Sequence, residues 1–131
     1  MFTMLRRTGL CEKPNESSSQ LLTAMKKYLI RGKYNAEGNR GLLQEGGSGR
    51  QRAIEHMLTT MSGRVEAFYY GLGQNDVYLI VELPEEVAAA AVTFRVNAAG
   101  LVRISLTPLL TPAEMDEAAK MSVSYRAPGA S

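Results

Sequence analysis

The sequence is short of the residues that build disulfides and metal sites. Its 131 residues include a single cysteine, Cys11, and a single histidine, His56. One cysteine excludes an internal disulfide and a cysteine-based zinc site, and without a second histidine a protein-built metal site is not expected. Low cysteine usage is typical of a reducing compartment, so we expect a cytoplasmic protein. No cofactor is predicted.

Long apolar runs and strong net charge are also absent. No stretch approaches the roughly 18 apolar residues of a membrane-spanning helix, and Arg6 and Arg7 are not followed by the apolar region of a secretory signal. The formal net charge is +2 with the basic residues spread along the chain, and no K/R-G-F/Y-G/A-F-V-x-F/Y motif occurs. We therefore expect neither a membrane nor a nucleic-acid partner.

The chain divides into an extension and one domain. Glu12–Gln20 has no apolar residue and no hydrophobic period, which is typical of a disordered segment. We therefore predict that residues 1–24 are a disordered N-terminal extension and that Met25 is an alternative start; a functional arm is the other interpretation. Residues 25–131 have the length of one domain.

The most informative stretch, Arg64–Leu83, predicts a hairpin. Its two halves are rich in β-branched and aromatic residues, and a Gly-containing turn joins them at 71–76. We expect positive φ at the glycines of this turn. Strict alternation places Phe68 and Tyr70 on the same face as Tyr78 and Ile80. Neither strand has a clean polar face, so both faces of this sheet should be covered.

The remaining elements follow from periodicity and from helix start and stop residues. Strands are predicted at 28–34 and 101–107, and helices at 35–44, from Ser48 to Gly63, at 84–98 and at 112–121. Ser48 with Gln51, and Thr111 with Glu114, match the capping-box pattern. The predicted buried stripes are Ile54, Met57, Leu58 and Met61 on one helix, and Val87, Ala91, Phe94 and Ala98 on another.

This order predicts an α+β, ferredoxin-like βαββαβ domain with a four-stranded antiparallel sheet and a C-terminal helix. Both main helices should cover one sheet face. The other face should carry Phe68, Tyr70, Tyr78 and Ile80, with Arg103 and either Arg31 or Tyr28 beside them. Such a face is too apolar to be left in water. We therefore expect a homodimer or higher homo-oligomer formed face to face.

From Tyr28 onward the chain resembles the GYD domain family of small bacterial and archaeal proteins. The residues that carry the resemblance are Tyr28–Ile30, Gly41–Ser48, Arg50, Glu66–Tyr70, Gly73–Val77, Thr107–Pro112 and Glu114. One departure is that Asn75 precedes Asp76 where the tyrosine of the family's Gly-Tyr-Asp cluster would stand. The resemblance implies a ferredoxin-like fold of the dimeric α/β-barrel kind. It supplies no function, because the family has none firmly assigned.

Several polar and aromatic residues are candidates for a ligand site, although none identifies a catalytic role or decides whether the protein is an enzyme. The ligand-binding candidates are Tyr69, Tyr70, Asp76, Tyr78, Arg103 and Arg50. The glycines of 46–49 followed by Arg50 could bind an anion at a helix start, or could simply break and cap a helix. Asp76 could be a base, although an Asp in such a turn more often bonds backbone.

The aromatic and charged candidates also have structural interpretations. Tyr69 and Tyr70 could orient a ligand or act as core and interface aromatics. Arg103 could hold a bound anion, or could pair with Glu66 or Glu82 on the same face. His56 lies off its helix's apolar stripe, so we expect it on the surface.

Two functions remain open. The first is binding of a small molecule in a cleft beside the aromatic sheet face, as a binding module or a cofactor-free enzyme, by analogy with similar folds. The second is a non-catalytic oligomeric or regulatory protein whose aromatic face is used for self-association. A cavity of a few hundred Å³ would favour the first, and a filled interface the second.

Overall fold

A computed structural model describes residues 25–130, so the predicted extension at 1–24 lies outside the described residues. The strands are β1 (Lys26–Tyr34), β2 (Arg64–Tyr70), β3 (Val77–Leu83) and β4 (Val102–Leu109). The helices are α1 (Ala36–Glu45), α2 (Gly47–Thr60), α3 (Glu86–Ala99) and α4 (Pro112–Lys120). The predicted α+β class and the predicted order of elements are confirmed.

The four strands form one antiparallel sheet in the order β2-β3-β1-β4. This order, with helices between β1 and β2 and between β3 and β4, is consistent with the ferredoxin-like arrangement. Helices α2 and α3 pack on one face, and the core lies between them and the sheet. The buried core residues are Tyr28, Ile30, Leu58, Val77, Leu79, Val81, Leu83, Ala88, Ala89 and Val92.

A β-bulge in β2 changes which residues face the core. The pairing runs Val65 with Val81 and then Ala67 with Ile80, which leaves Glu66 as the extra residue. A bulge reverses the side-chain alternation beyond it. Phe68 therefore pairs with Leu79 and packs against the core.

The prediction that Phe68 and Tyr70 share a face with Tyr78 and Ile80 is therefore wrong. Tyr70 pairs with Val77, a core residue, and its hydroxyl donates to the carbonyl of Gly47 at the start of α2 over 3.0 Å. Phe68 and Tyr70 thus lie on the helix side, where their rings meet edge to face at a centroid distance of 5.3 Å. The predicted alternation holds in β3, because Tyr78 and Ile80 lie on the opposite side of the sheet.

We call that opposite side the outer face. Its central residues, identified by strand pairing, are Leu29, Arg31, Ala67, Tyr69, Tyr78 and Ile80. Arg31 rather than Tyr28 lies on this face, because Tyr28 pairs with Val81 and is buried. Tyr69 is 71% exposed, whereas Tyr78 and Ile80 are half-buried.

Helix α3 is rotated relative to the sequence prediction. The predicted stripe is wrong: Val87 and Phe94 are 72% and 74% exposed, and Ala91 and Ala98 are exposed as well. Ala88, Ala89 and Val92 are buried instead. The stripe of α2 is confirmed, because Leu58 is buried and Ile54, Met57 and Met61 pack on the core.

The residues predicted to cap helices or to form the turn at 71–76 were only partly assigned correctly. The capping box at Thr111 and Glu114 is present, and Gly100 ends α3 in the left-handed region at φ 82°. The Ser48 capping box is not, because α2 begins at Gly47 with Gly46, at φ 87°, as its N-cap and no side-chain cap. Positive φ in the turn at 71–76 is also wrong, because no residue of that turn has it.

Candidate ligand-binding site

Arg50 lies where α1 gives way to α2. Gly46 separates the two helices with a φ of 87°, a conformation that favours glycine because it has no Cβ. The Arg50 amide donates to the Gly46 carbonyl over 3.0 Å, so the guanidinium extends from the first turn of α2. This half-buried side chain is directed between α1 and the end of the sheet, where it meets Glu45 with an N–O distance of 3.6 Å.

Two cavities meet at Arg50. One, the junction groove, is lined by Tyr34, Gly38, Leu42, Glu45, Arg50 and Val102, and leaves about 140 Å³ for the centres of water-sized molecules. The other, the inner pocket, leaves about 50 Å³ between the sheet and the helices. Its lining is almost wholly apolar and includes Ile54, Met57, Phe68 and Val96. Tyr34, Arg50 and Val102 line both, so a charged group stands where a groove with a partly polar lining meets an almost wholly apolar pocket.

Two phenols accompany Arg50. Burial raises the pKa of Tyr34 above its ordinary value, and the nearby positive charge of Arg50 opposes that shift. Burial likewise raises the pKa of Tyr70, whose hydroxyl is anchored on Gly47. Both phenols are therefore neutral at physiological pH and retain their protons as hydrogen-bond donors. The charges near these phenols are then the Arg50 guanidinium, the Glu45 carboxylate and, beside Tyr34, the Asp76 carboxylate.

Asp76 has a structural role in the sheet. One carboxylate oxygen accepts from the Tyr34 amide over 2.9 Å, and the other meets Lys33 Nζ at 3.2 Å. Its own amide donates to the Gly32 carbonyl. Asp76 thus extends the pairing between β3 and β1 by one step. The predicted turn role is only partly correct, because the carboxylate does bond backbone but that backbone belongs to β1 and not to the turn.

The other candidates lie on the outer face, away from Arg50. Tyr69 pairs with Tyr78 across β2 and β3, and Arg103 lies opposite Lys33 across β4 and β1. Within residues 25–130 Arg103 forms no ion pair. Of the other predicted ligand-binding residues, only Tyr70 lies near Arg50, whereas Tyr69 and Tyr78 lie side by side on the outer face.

The carboxylates expected to pair with Arg103 are held elsewhere on the outer face. Lys27 Nζ meets both Glu66 and Glu82 at 2.5 Å, and Arg64 Nε meets Glu82 at 2.5 Å. These four residues form an ion cluster at the far end of the sheet from Arg103. The bulge allows it, because it keeps Glu66 on the outer face while Phe68 turns inward.

Sequence reasoning missed Tyr34 and Glu45 as neighbours of Arg50. Tyr34 has the same parity as Ile30 in β1, so the alternation did carry a signal that it faces the helices. Glu45 had no comparable signal, because it meets Arg50 across the break between α1 and α2 at Gly46.

Other site classes find little support among residues 25–130. His56 is exposed, as predicted. No group of three His, Cys, Asp or Glu side chains within this range could hold a metal ion. None of the helices in the same range has both the length and the apolar content needed to cross a membrane.

Comparison with known proteins gives one match. The GYD domain model matches residues 28–119, from the first buried residue of β1 to near the end of α4. No curated protein and no solved structure matches the chain. The match covers the sheet from Tyr28 onward and every residue around Arg50, and it bears out the resemblance seen in the sequence. The chain belongs to the GYD domain family.

Proposed function

We propose that the protein binds a small organic acid, an anion with a short apolar body, where the junction groove meets the inner pocket. The observation that carries this proposal is the position of Arg50, a charged side chain that lines both the partly polar junction groove and the almost wholly apolar inner pocket. Its contact with Glu45 at 3.6 Å is longer than a hydrogen bond. A guanidinium has five donors, so most of its capacity is left for a carboxylate.

The surroundings favour an anion over a neutral ligand. Tyr34 and Tyr70 are neutral donors beside Arg50, and the apolar side chains of Ile54, Met57 and Phe68 would receive the body of the ligand. Drug-sized ligands occupy pockets of roughly 300–1,000 Å³. The junction groove, at about 140 Å³, is smaller, so the ligand has few heavy atoms. The single cysteine fits a reducing cytoplasm, where we place this function.

The test compares small anions with and without an apolar body. Butyrate and benzoate are titrated into the isotopically labelled protein and the amide signals of 47–50 are followed by NMR, with inorganic phosphate as the polar anion. We expect saturable shifts with the two carboxylates and weaker ones with phosphate. Native mass spectrometry of the protein as purified gives a second readout, a reproducible extra mass.

Variants on one helix provide the matched control. Arg50→Gln should weaken carboxylate binding at least tenfold, because it removes the charge that pairs with the ligand. Arg52→Gln removes the same charge two residues away, at an exposed position, and should leave binding unchanged. Equal affinity for wild type and Arg50→Gln would overturn the proposal, as would no binding at millimolar concentration.

We also propose self-association through the outer face as a homodimer of the α/β-barrel type. The observation that favours it is the exposure of Tyr69, 71%, beside the half-buried Leu29, Tyr78 and Ile80. Apolar side chains in the middle of a sheet face are a common interface between copies. Phe68 and Tyr70, which the sequence had predicted at this interface, are turned toward the helices by the bulge. Tyr69 and Leu29 take their place on the outer face. Binding at Arg50 does not depend on this interface, which lies on the opposite side of the sheet.

A further inference from the structure

Directly after α4 lies a segment with the pattern of a β-strand that pairs with no strand of the described residues. In Met121–Tyr125, which reads MSVSY, apolar and polar residues alternate. Met121 is extended at φ −75° and ψ 139°, and 122–127 belong to no helix or strand. Met121, Val123 and Tyr125 are 70%, 77% and 76% exposed. A period of two is the signature of a strand with one covered face, yet nothing among the described residues covers this one.

The backbone of this segment is also unused. Its one backbone hydrogen bond to another described residue runs from the Met121 amide to the Ala118 carbonyl, at the end of α4. From Ser122 to Tyr125 neither the amides nor the carbonyls bond to any residue within 25–130. The segment therefore offers a row of donors and acceptors of the kind that completes a sheet edge.

The β4 edge of the sheet is largely closed to such a strand. The Asn97 side chain accepts from the Ile104 amide over 2.8 Å and donates to the Ile104 carbonyl over 3.2 Å. These bonds show that Ile104 directs its backbone groups away from β1. By alternation Pro108 does the same, and it has no amide hydrogen to offer.

The β2 edge is open. The Gly71 amide donates to the Asp76 carbonyl over 2.8 Å, so Gly71 directs its backbone toward the hairpin partner. In an antiparallel pair this direction alternates, so Phe68 and Tyr70 direct their amides and carbonyls outward. β2 pairs only with β3 within the described sheet. These two residues therefore present an unpaired edge.

We propose that the segment Met121–Tyr125 pairs as an additional strand with the β2 edge of a second copy of this chain. Each copy carries one donor strand and one acceptor edge, so two copies can exchange segments reciprocally and close the assembly. A second copy is the fitting partner because both elements stay unpaired within residues 25–130 of one copy. The inference does not depend on ligand binding at Arg50.

Hydrogen exchange at the acceptor edge tests the pairing. In the full chain the Phe68 and Tyr70 amides should be protected. Successive amides of a strand point in opposite directions, so either Val123→Pro or Ser124→Pro must remove a bond to the partner. At least one of the two should accelerate exchange at Phe68 or Tyr70 tenfold or more. Ala127→Pro, in the same tail but beyond the alternating segment, should leave exchange unchanged. Free exchange of both amides in the full chain, or no effect of either proline, would overturn the proposal.

A crosslinking experiment establishes that the pairing is between copies. One copy carries Ala67→Cys on β2, and the other carries Met121→Cys, Val123→Cys or Tyr125→Cys in turn. Both copies carry Cys11→Ser, and different mass tags distinguish them. A short bismaleimide should link one copy of each kind. When one chain carries both cysteines, crosslinks that form only within single chains would contradict the exchange of segments between copies. Tyr69→Arg, which tests the outer-face interface, leaves the segment intact, so the two interfaces are distinguished.

Discussion

At the scale of single residues, Glu82 is the most constrained charge in the domain. It is 7% exposed, yet its carboxylate bonds both Lys27 and Arg64. These cations, Lys27 first, hold the pKa of Glu82 below its ordinary value of 4.5, although burial acts in the opposite direction. The hydrogen bonds to Glu66 and Glu82 correspondingly raise the pKa of Lys27. A buried carboxylate with two cationic partners stabilises the fold only while it is ionised.

The sign of the pH dependence follows from the lowered pKa. The stabilisation from Glu82 is present above the pKa of the unfolded chain, about 4.5, and is lost as the pH falls through the lower pKa of the folded state. Glu82→Gln should lower the free energy of unfolding at pH 7 by about 1–3 kcal/mol, because it replaces charged hydrogen bonds. Urea unfolding at pH 7 and pH 3 should show this difference shrinking in acid. Glu117→Gln, at an exposed position on α4, serves as the control. If Glu82→Gln lowered the free energy of unfolding equally at both pH values, the lowered pKa of Glu82 would be contradicted.

At the scale of elements, the sequence was most informative where glycine, proline or a capping residue marks a boundary. The pair of Thr111 and Glu114 marks the start of α4, and Gly100 marks the end of α3, both as predicted. The bulge in β2 could not be predicted, because Glu66 and Ala67 have no turn chemistry and either register satisfies the alternation. One extra residue reversed the faces of Phe68 and Tyr70.

The rotation of α3 escaped prediction for a different reason. Alanine and valine occur on every side of this helix, so its apolar pattern has no single direction. Ala88 and Ala89 face the sheet because small side chains let the helix approach closely, and this leaves the larger Phe94 outside. Packing distance rather than hydrophobicity selected the buried side.

Helix α1 offers a matched pair of glycines to measure such a close approach. A Cβ on Gly38 would lie 2.1 Å from the Leu101 carbonyl oxygen, whereas a Cβ on Gly41 would meet nothing within 4 Å. Gly38→Ala should therefore destabilise the protein by about 1–3 kcal/mol through overpacking. Gly41→Ala should stabilise it by about 0.5–1 kcal/mol, because alanine is the better helix former. Chemical denaturation of both variants checks this, and equal effects would show that α1 does not pack against Leu101.

At the scale of the whole molecule, the sheet separates two surfaces that the sequence had predicted to be one. A single aromatic face was expected to serve both ligand and partner. Arg50 and Tyr70 instead lie on the helix side with Tyr34, whereas Tyr69, Tyr78 and Arg103 lie on the outer face. Residue types alone supplied the candidates, but their division between the two sides of the sheet depends on the bulge in β2 and on the break between α1 and α2 at Gly46.

This separation makes two adjacent tyrosines report on different surfaces. Tyr69→Arg places a charge at the centre of the outer face, where face-to-face packing would bury it without a partner. Both tyrosine variants are made in a chain that also carries Val123→Pro and Ser124→Pro, which disable pairing of the terminal segment. Because Tyr69 is 71% exposed in a single chain, Tyr69→Arg should fold with nearly unchanged stability and elute as a monomer where that background alone elutes as a dimer. Tyr70→Arg loses the bond to Gly47 and the edge contact with Phe68, so it should melt at a lower temperature and remain a dimer. Light scattering on the eluting peaks gives both masses. A dimeric Tyr69→Arg, or a monomeric but equally stable Tyr70→Arg, would place the interface on the helix side instead.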